Sequence, residues 1–167
     1  MEKLVCGKIS RIIKNRKKLE ESLNVKIKNR GKEVSIEGRA EDEYVAEKVI
    51  GALEFGFPFS TAMLLKEQDF MLEVINVKDH TKRKDLERVR ARIIGRHGKT
   101  LKTLQTLTMC HFEIKDNHVG VIGDPEHIRN AHEAVISLIR GAKQSNVYSF
   151  LEKHQVKHVF DLGLKDN

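Results

Sequence analysis

Gly38, Ala46 and Gly56 recur as Gly123, Ala131 and Gly141, each 85 positions further on. A constant offset of that size marks a duplicated structural unit and constrains the fold more than any local signal. The stretch RIIKNRKKLEESLNVKIKNRGKEVSIEGRAEDEYVAEKVIGALEFG reads as a shortened copy of RIIGRHGKTLKTLQTLTMCHFEIKDNHVGVIGDPEHIRNAHEAVISLIRG. Each copy closes with an amphipathic helix, carried by Val45, Val49, Ile50 and Leu53 in the first and by Ile128, Ala131, Val135, Leu138 and Ile139 in the second. Gly56 and Gly141 are placed as helix stops. Ahead of that helix, NVKIKNRGKEVSIEG and HFEIKDNHVGVIG alternate β-branched residues around Asn29-Arg30-Gly31 and Asp116-Asn117, which predicts a hairpin in each.

The second copy extends further upstream. DFMLEVINVK alternates Phe70, Leu72, Val74, Ile75 and Val77 as a strand does, and Leu86, Val89 and Ile93 then take one face of a helix. Gly95 and Gly98 interrupt that helix before Leu101, Leu104 and Leu107 resume an apolar face. The predicted order is strand, helix, GxxG, helix, strand, strand, helix. This gives an α+β fold of two βααββα units, each a three-stranded sheet with helices packed on one face. The expected domains are 1–57, a linker helix over 58–68 (around Ala62 to Lys66), 69–143, and a C-terminal helix and tail over 144–167.

Net charge is +7, and its distribution is uneven. Residues 1–32 carry 11 basic and 3 acidic groups and residues 82–102 carry 9 and 2, whereas residues 33–81 carry 4 and 11 and residues 103–167 carry 7 and 8. Two basic blocks make a polyanion the expected partner, and the acidic stretch from Glu33 to Glu54 faces water or a protein. No apolar run is long enough to span a bilayer and the first residues lack a secretory pattern, so a cytoplasmic location and no membrane partner are expected. Cys6 and Cys110 are far apart, which fits buried thiols rather than a disulfide or a zinc motif; His111 and His118 beside Cys110 do not complete a ligand set. HExxH, P-loop, GxSxG and Rossmann patterns are absent, as is a carboxylate cluster within the basic block, so neither catalysis nor a cofactor or metal is expected. Asp79 and Asp85 are explained as a turn residue and an ion-pair partner.

The octet IIGRHGKT lies inside the second basic block. Gly95 and Gly98 allow a corner closed to other residues, and the N–H groups of Gly98, Lys99 and Thr100 then open at a helix N-terminus, where a phosphate is favoured. Arg96 and His97 form the tip, Arg88 and Arg92 extend the cationic track one turn apart, and Lys99 and Lys102 follow it. Ile94 and Ile114 divide between core and a base-contacting surface. The candidate residues for holding a sugar-phosphate strand are therefore Arg88, Arg92, Ile94, Gly95, Arg96, His97, Gly98, Lys99, Thr100, Lys102 and Ile114.

The octet and its βααββα frame resemble a type I KH domain, whose GxxG loop clamps about four nucleotides of a single strand. The pair of units, with FGFPFSTAMLLKEQDFMLEVINVKD between them and GAKQSNVYSFLEK after them, resembles the archaeal form of the partner-of-Nob, or Dim-two type, family of ribosome biogenesis factors over nearly the whole chain. The KRR-type assembly factors share a related second unit. The resemblance implies binding to the 3′ region of precursor small-subunit rRNA, within the pre-ribosomal small subunit and beside the Nob-type endonuclease. The alternative is a KH regulator or RNA-degradation subunit that binds other RNAs.

One departure separates the copies. Ile13 to Ile27 is 14 residues where Ile94 to Ile114 is 20, and KNRKK stands where the second copy has GRHGK. Without a glycine corner, the first unit is not expected to clamp a backbone. Arg11, Lys14, Arg16, Lys17 and Lys18 are then either nonspecific phosphate contacts or a solvated helix face.

Overall fold

The computed structural model describes residues 1–67 and 69–155. The tail expected over 156–167 lies outside the described residues.

The first unit runs β1 (Glu2–Val5), α1 (Ile9–Leu23), β2 (Lys26–Arg30), β3 (Glu33–Glu37) and α2 (Ala40–Phe55). Its strands form an antiparallel sheet in the order β1-β3-β2. Val34 and Ile36 on β3 and Ile27 on β2 point into a core closed by Ile12, Leu19 and Leu23 of α1 and by Ala46, Val49, Ile50 and Leu53 of α2. The opposite face carries charge, with Lys3 3.3 Å from Glu33 and Lys28 3.3 Å from Glu37. The predicted helix pair is a single unbroken α1, because nothing in KNRKK leaves helical geometry. The first unit is thus βαββα, short of one helix against the expected pattern.

A short helix α3 (Phe59–Ala62) and a 3-10 turn (Met63–Lys66) connect to β4 (Met71–Asn76). Phe70 and Val77 fall outside the strand expected over 69–78; Val77 begins a second 3-10 turn (Val77–His80) and is fully buried there. The chain continues through α4 (Leu86–Ile94), a glycine corner, α5 (Lys99–Thr108), β5 (His111–Lys115), β6 (His118–Gly123), α6 (Pro125–Ile139) and α7 (Gln144–Lys153). The second sheet repeats the arrangement of the first in the order β4-β6-β5, also antiparallel. Hairpin β5–β6 turns at Asp116, where φ is 53°. At the start of α6 the Asp124 carboxylate accepts from His127 N at 3.0 Å, and Pro125 occupies the first turn, where its missing N–H costs nothing.

The two sheets are covered differently. In β6, Val119 and Val121 enter the core formed with α4, α5 and α6, while Ile122 joins the core of the first unit. Gly120 meets Phe55 and Phe57 of the first unit, and a Cβ built there would lie 2.6 Å from the Phe55 ring. The second sheet therefore has its own helices on one face and the first unit on the other. Charge reinforces the seam. Lys115 on β5 lies 3.8 Å from Glu54 of α2, and that carboxylate also accepts from Gly7 N and Lys8 N at 2.8 and 2.9 Å. Glu113 on β5 has its carboxyl pushed up by burial, against the opposing pull of Arg11 and Lys8.

Both cysteines are buried free thiols. Burial pushes the Cys110 thiol up to about 12, far from the thiolate needed for reactivity.

Candidate nucleic-acid interface

Helix α4 ends when Gly95 takes φ 76° and ψ 171°, a combination open essentially to glycine alone. Arg96 to Gly98 make one 3-10 turn, closed by Gly98 N donating to Gly95 O at 3.1 Å. His97 (φ 55°, ψ 28°) and Gly98 (φ 72°, ψ 14°) are both left-handed, so the chain reverses within three residues and starts α5 at Lys99. No side chain caps α5, but the Gly98 and Lys99 N–H groups, expected to face an anion, are taken by Gly95 O and Arg96 O, because the 3-10 turn runs straight into α5. A Cβ on Gly95 would stand 2.7 Å from Thr100 N, whereas one on Gly98 would meet nothing within 4 Å. Gly95 lets the two helices close on each other. Gly98 supplies only a backbone conformation.

The eleven candidate residues divide on this geometry. Arg96, His97, Lys99 and Lys102 are exposed, and among the described residues no carboxylate lies within ion-pair distance of them. Arg88 is exposed beside Asp85 at 4.0 Å. Ile94 keeps 37% of its surface exposed next to a fully buried Ile93, and Ile114 is half-buried against the second core. Unpaired cations at a glycine corner, bordered by an exposed isoleucine, suit a sugar-phosphate chain with bases turned inward.

Two of the eleven side chains are committed elsewhere. Helical spacing places Arg92 on the track from Arg88, yet its guanidinium turns under the α6–α7 corner and donates to Leu138 O at 3.3 Å and Ala142 O at 2.7 Å. Position 92 faces the end of α6, whose last carbonyls need donors. Thr100 is 4% exposed, and its hydroxyl accepts from Gln144 Nε2 at 3.0 Å, the same amide that donates to Arg92 O at 3.2 Å. These side chains brace the corner from behind.

Sequence reasoning passed over Gln144, which ties the start of α7 to both helices flanking the glycines. A lone glutamine opening a helix gives no signal of such a contact. It also passed over Arg90, whose guanidinium donates to Asp116 O in the β5–β6 turn at 2.9 Å. Together with Lys78, Lys84, Arg88 and Asn117, Arg90 borders a surface cleft of about 860 Å³ beside α4. Among the described residues no three His, Cys, Asp or Glu side chains gather as a metal site, and no helix is long and apolar enough to cross a membrane.

Residues 71–156 match the family model for the second KH domain of PNO1, described as a eukaryotic type KH-domain (KH-domain type I). The chain is 32% identical over 113 residues to a KH domain-containing protein of Methanocaldococcus jannaschii, covering 67% of this chain and 50% of the relative. It is also 32% identical over 146 residues to the pre-rRNA-processing protein PNO1 of Saccharomyces cerevisiae, covering 80% and 53%. The chain spans about half the length of these curated relatives. Among solved structures it superimposes on Dim2p from Pyrococcus horikoshii with a TM-score of 0.83 at 28% identity, over 91% of this chain and 98% of that one. It superimposes equally, at a TM-score of 0.83 and 28% identity over 92% and 93%, on the chain in an a/eIF2alpha-aDim2p-rRNA complex from the same organism. With a KH-type α+β fold and the glycine corner in place, the chain belongs to the Dim2/PNO1 family of ribosome biogenesis factors.

Proposed function

We propose that this chain is a non-catalytic RNA-binding factor of small-subunit maturation. Its second unit grips single-stranded RNA near the 3′ end of precursor small-subunit rRNA, in the pre-ribosomal particle and beside the Nob-type endonuclease that trims that end. The observation that carries the binding step is the corner itself: two left-handed residues beside the exposed Arg96, His97, Lys99 and Lys102, which have no carboxylate partner among the described residues. The rRNA target is supported by the rRNA in the complex of the similar Pyrococcus protein and by the pre-rRNA-processing role in the name of the yeast relative. The corner holds backbone and positions the strand, while Ile94 and Ile114 contact bases.

The test is binding of an oligonucleotide matching the 3′ end of small-subunit rRNA against a scrambled control, over a salt series, for the native chain and for Arg96→Asp combined with His97→Asp. Selective binding is expected to disappear, and the salt slope to flatten by about 0.7 for each phosphate of a single strand that is no longer neutralised. Equal binding of both oligonucleotides, unchanged by the double substitution, refutes the corner as the clamp.

A further inference from the structure

Helix α2 contains a glycine that its own fold does not use. Gly51 sits inside the 16-residue helix Ala40–Phe55, is exposed, and has no positive φ. A Cβ placed there would meet nothing within 4 Å. An interior helix glycine is unfavourable relative to alanine, and no internal contact at Gly51 offsets that. What the missing side chain leaves is space on the outer face of α2, in a groove of about 440 Å³ that Gly51 lines with Tyr44, Glu47, Lys48, Met71 and Leu72.

The other wall of this groove is β4. It is an edge strand: β6 pairs with one side, and no strand pairs with the other among the described residues. Edge strands are ordinarily protected by lysine, proline or a bulge. The sequence MLEVIN contains neither lysine nor proline, its one charge, Glu73, is drawn to His132 of α6 at 3.0 Å, and the strand pairs residue for residue with β6 and leaves Met71 and Val74 39% and 48% exposed. Tyr44 adds an aromatic surface that is 59% exposed, with the Lys48 ammonium held 4.2 Å from its ring centroid. The surroundings are acidic. Glu47 lines the groove beside Lys48, which is turned onto the Tyr44 ring, and Glu67 and Asp69 precede β4, so carboxylates outnumber the one lysine here.

We propose that this groove docks an extended segment of a protein partner, bearing alternating apolar and basic side chains, which adds a strand to the open edge of β4. Main-chain hydrogen bonds to the edge supply affinity, and alternate side chains supply specificity. Gly51 lets the incoming backbone approach α2, Met71 and Tyr44 receive the apolar side chains, and the acidic rim pairs with the basic ones. The same acidity repels phosphate, which sets this surface apart from the glycine corner.

The experiment uses the full chain and random dodecapeptides displayed on phage, followed by titration of the best synthetic peptide. Expected are enriched peptides that alternate apolar residues with Lys or Arg, and slowed hydrogen exchange of the outward β4 amides when the peptide binds. Gly51→Leu fills the groove and weakens the peptide by at least about tenfold, an easily resolved difference in Kd. Gly51→Ala raises Tm by a few degrees and still weakens the peptide, a combination that a merely structural glycine does not produce. Three results overturn the proposal: selection without an alternating pattern, a peptide bound equally well by Gly51→Leu, and displacement of the peptide by a random single-stranded RNA pool, which assigns the groove to nucleic acid.

Discussion

Replacing each glycine of the corner by alanine separates two roles that a GxxG pattern confounds. At Gly95 the added Cβ faces two obstacles. The backbone at φ 76°, ψ 171° lies where residues with a side chain pay about 1–3 kcal/mol. The Cβ itself also falls 2.7 Å from Thr100 N, a backbone atom in the first turn of α5, so the helices must separate at an overpacking cost of about 1–3 kcal/mol. Gly95→Ala is therefore expected to destabilise by about 2–6 kcal/mol. Gly98→Ala meets open space and pays only for its left-handed conformation, about 1–2 kcal/mol. Urea unfolding followed by far-ultraviolet circular dichroism measures both, since the chain has no tryptophan for fluorescence. A Gly95→Ala protein no less stable than Gly98→Ala would refute the steric reasoning and the tight apposition of α4 and α5 on which the clamp depends.

Two further predictions concern stability. Arg92→Met removes the donors to Leu138 O and Ala142 O and is expected to cost about 1–2 kcal/mol, reduced from the charged-donor value of about 1.5–3 kcal/mol because the site is half-buried. Arg96→Met at the exposed tip stays within about 0.5 kcal/mol of the native chain and weakens RNA binding instead; the comparison fails if thermal melting ranks the two in the opposite order. Asp124→Ala removes the cap of α6 and is expected to cost about 1 kcal/mol near neutral pH. Burial raises the Asp124 pKa, but hydrogen bonds from the His127 backbone and ring outweigh it and hold the carboxyl below its usual range. This contribution is fully present above the unfolded pKa of about 3.9 and is lost as pH falls through the lower folded value. The difference in stability between native and Asp124→Ala chains should therefore shrink as pH falls through the folded value, and a difference that stays constant down to about pH 2 would contradict the assignment.

The duplication and the glycine corner were legible because both rest on local chemistry: a fixed repeat distance, and glycines where only glycine can turn the chain. The seam between units was less legible, although the run Val119, Gly120, Val121, Ile122, Gly123 carried its signal. A strand apolar at every position is covered on both faces, and the hairpin alternation drew attention to one face only. Val74, expected inside the strand pattern, is half exposed because the first unit covers the neighbouring Leu72 and Gly120 but stops short of it. Arg92 was misplaced for a different reason. Helical spacing puts it one turn from Arg88, but which neighbour approaches that side of α4 depends on where α6 ends, a relation spanning 46 residues that no local pattern encodes.

The contact of Gly120 with Phe55 and Phe57 changes what the first copy is for. A duplicate that cannot make the glycine corner still serves as the rear wall of its sibling, and a strand with hydrogen at one position leaves that wall no groove in which to slide. Cutting the chain before β4 would strip Ile122 and Gly120 of the cover that the first unit gives them. A change at Phe55 or Phe57 therefore alters the support of β6, the central strand of the second sheet.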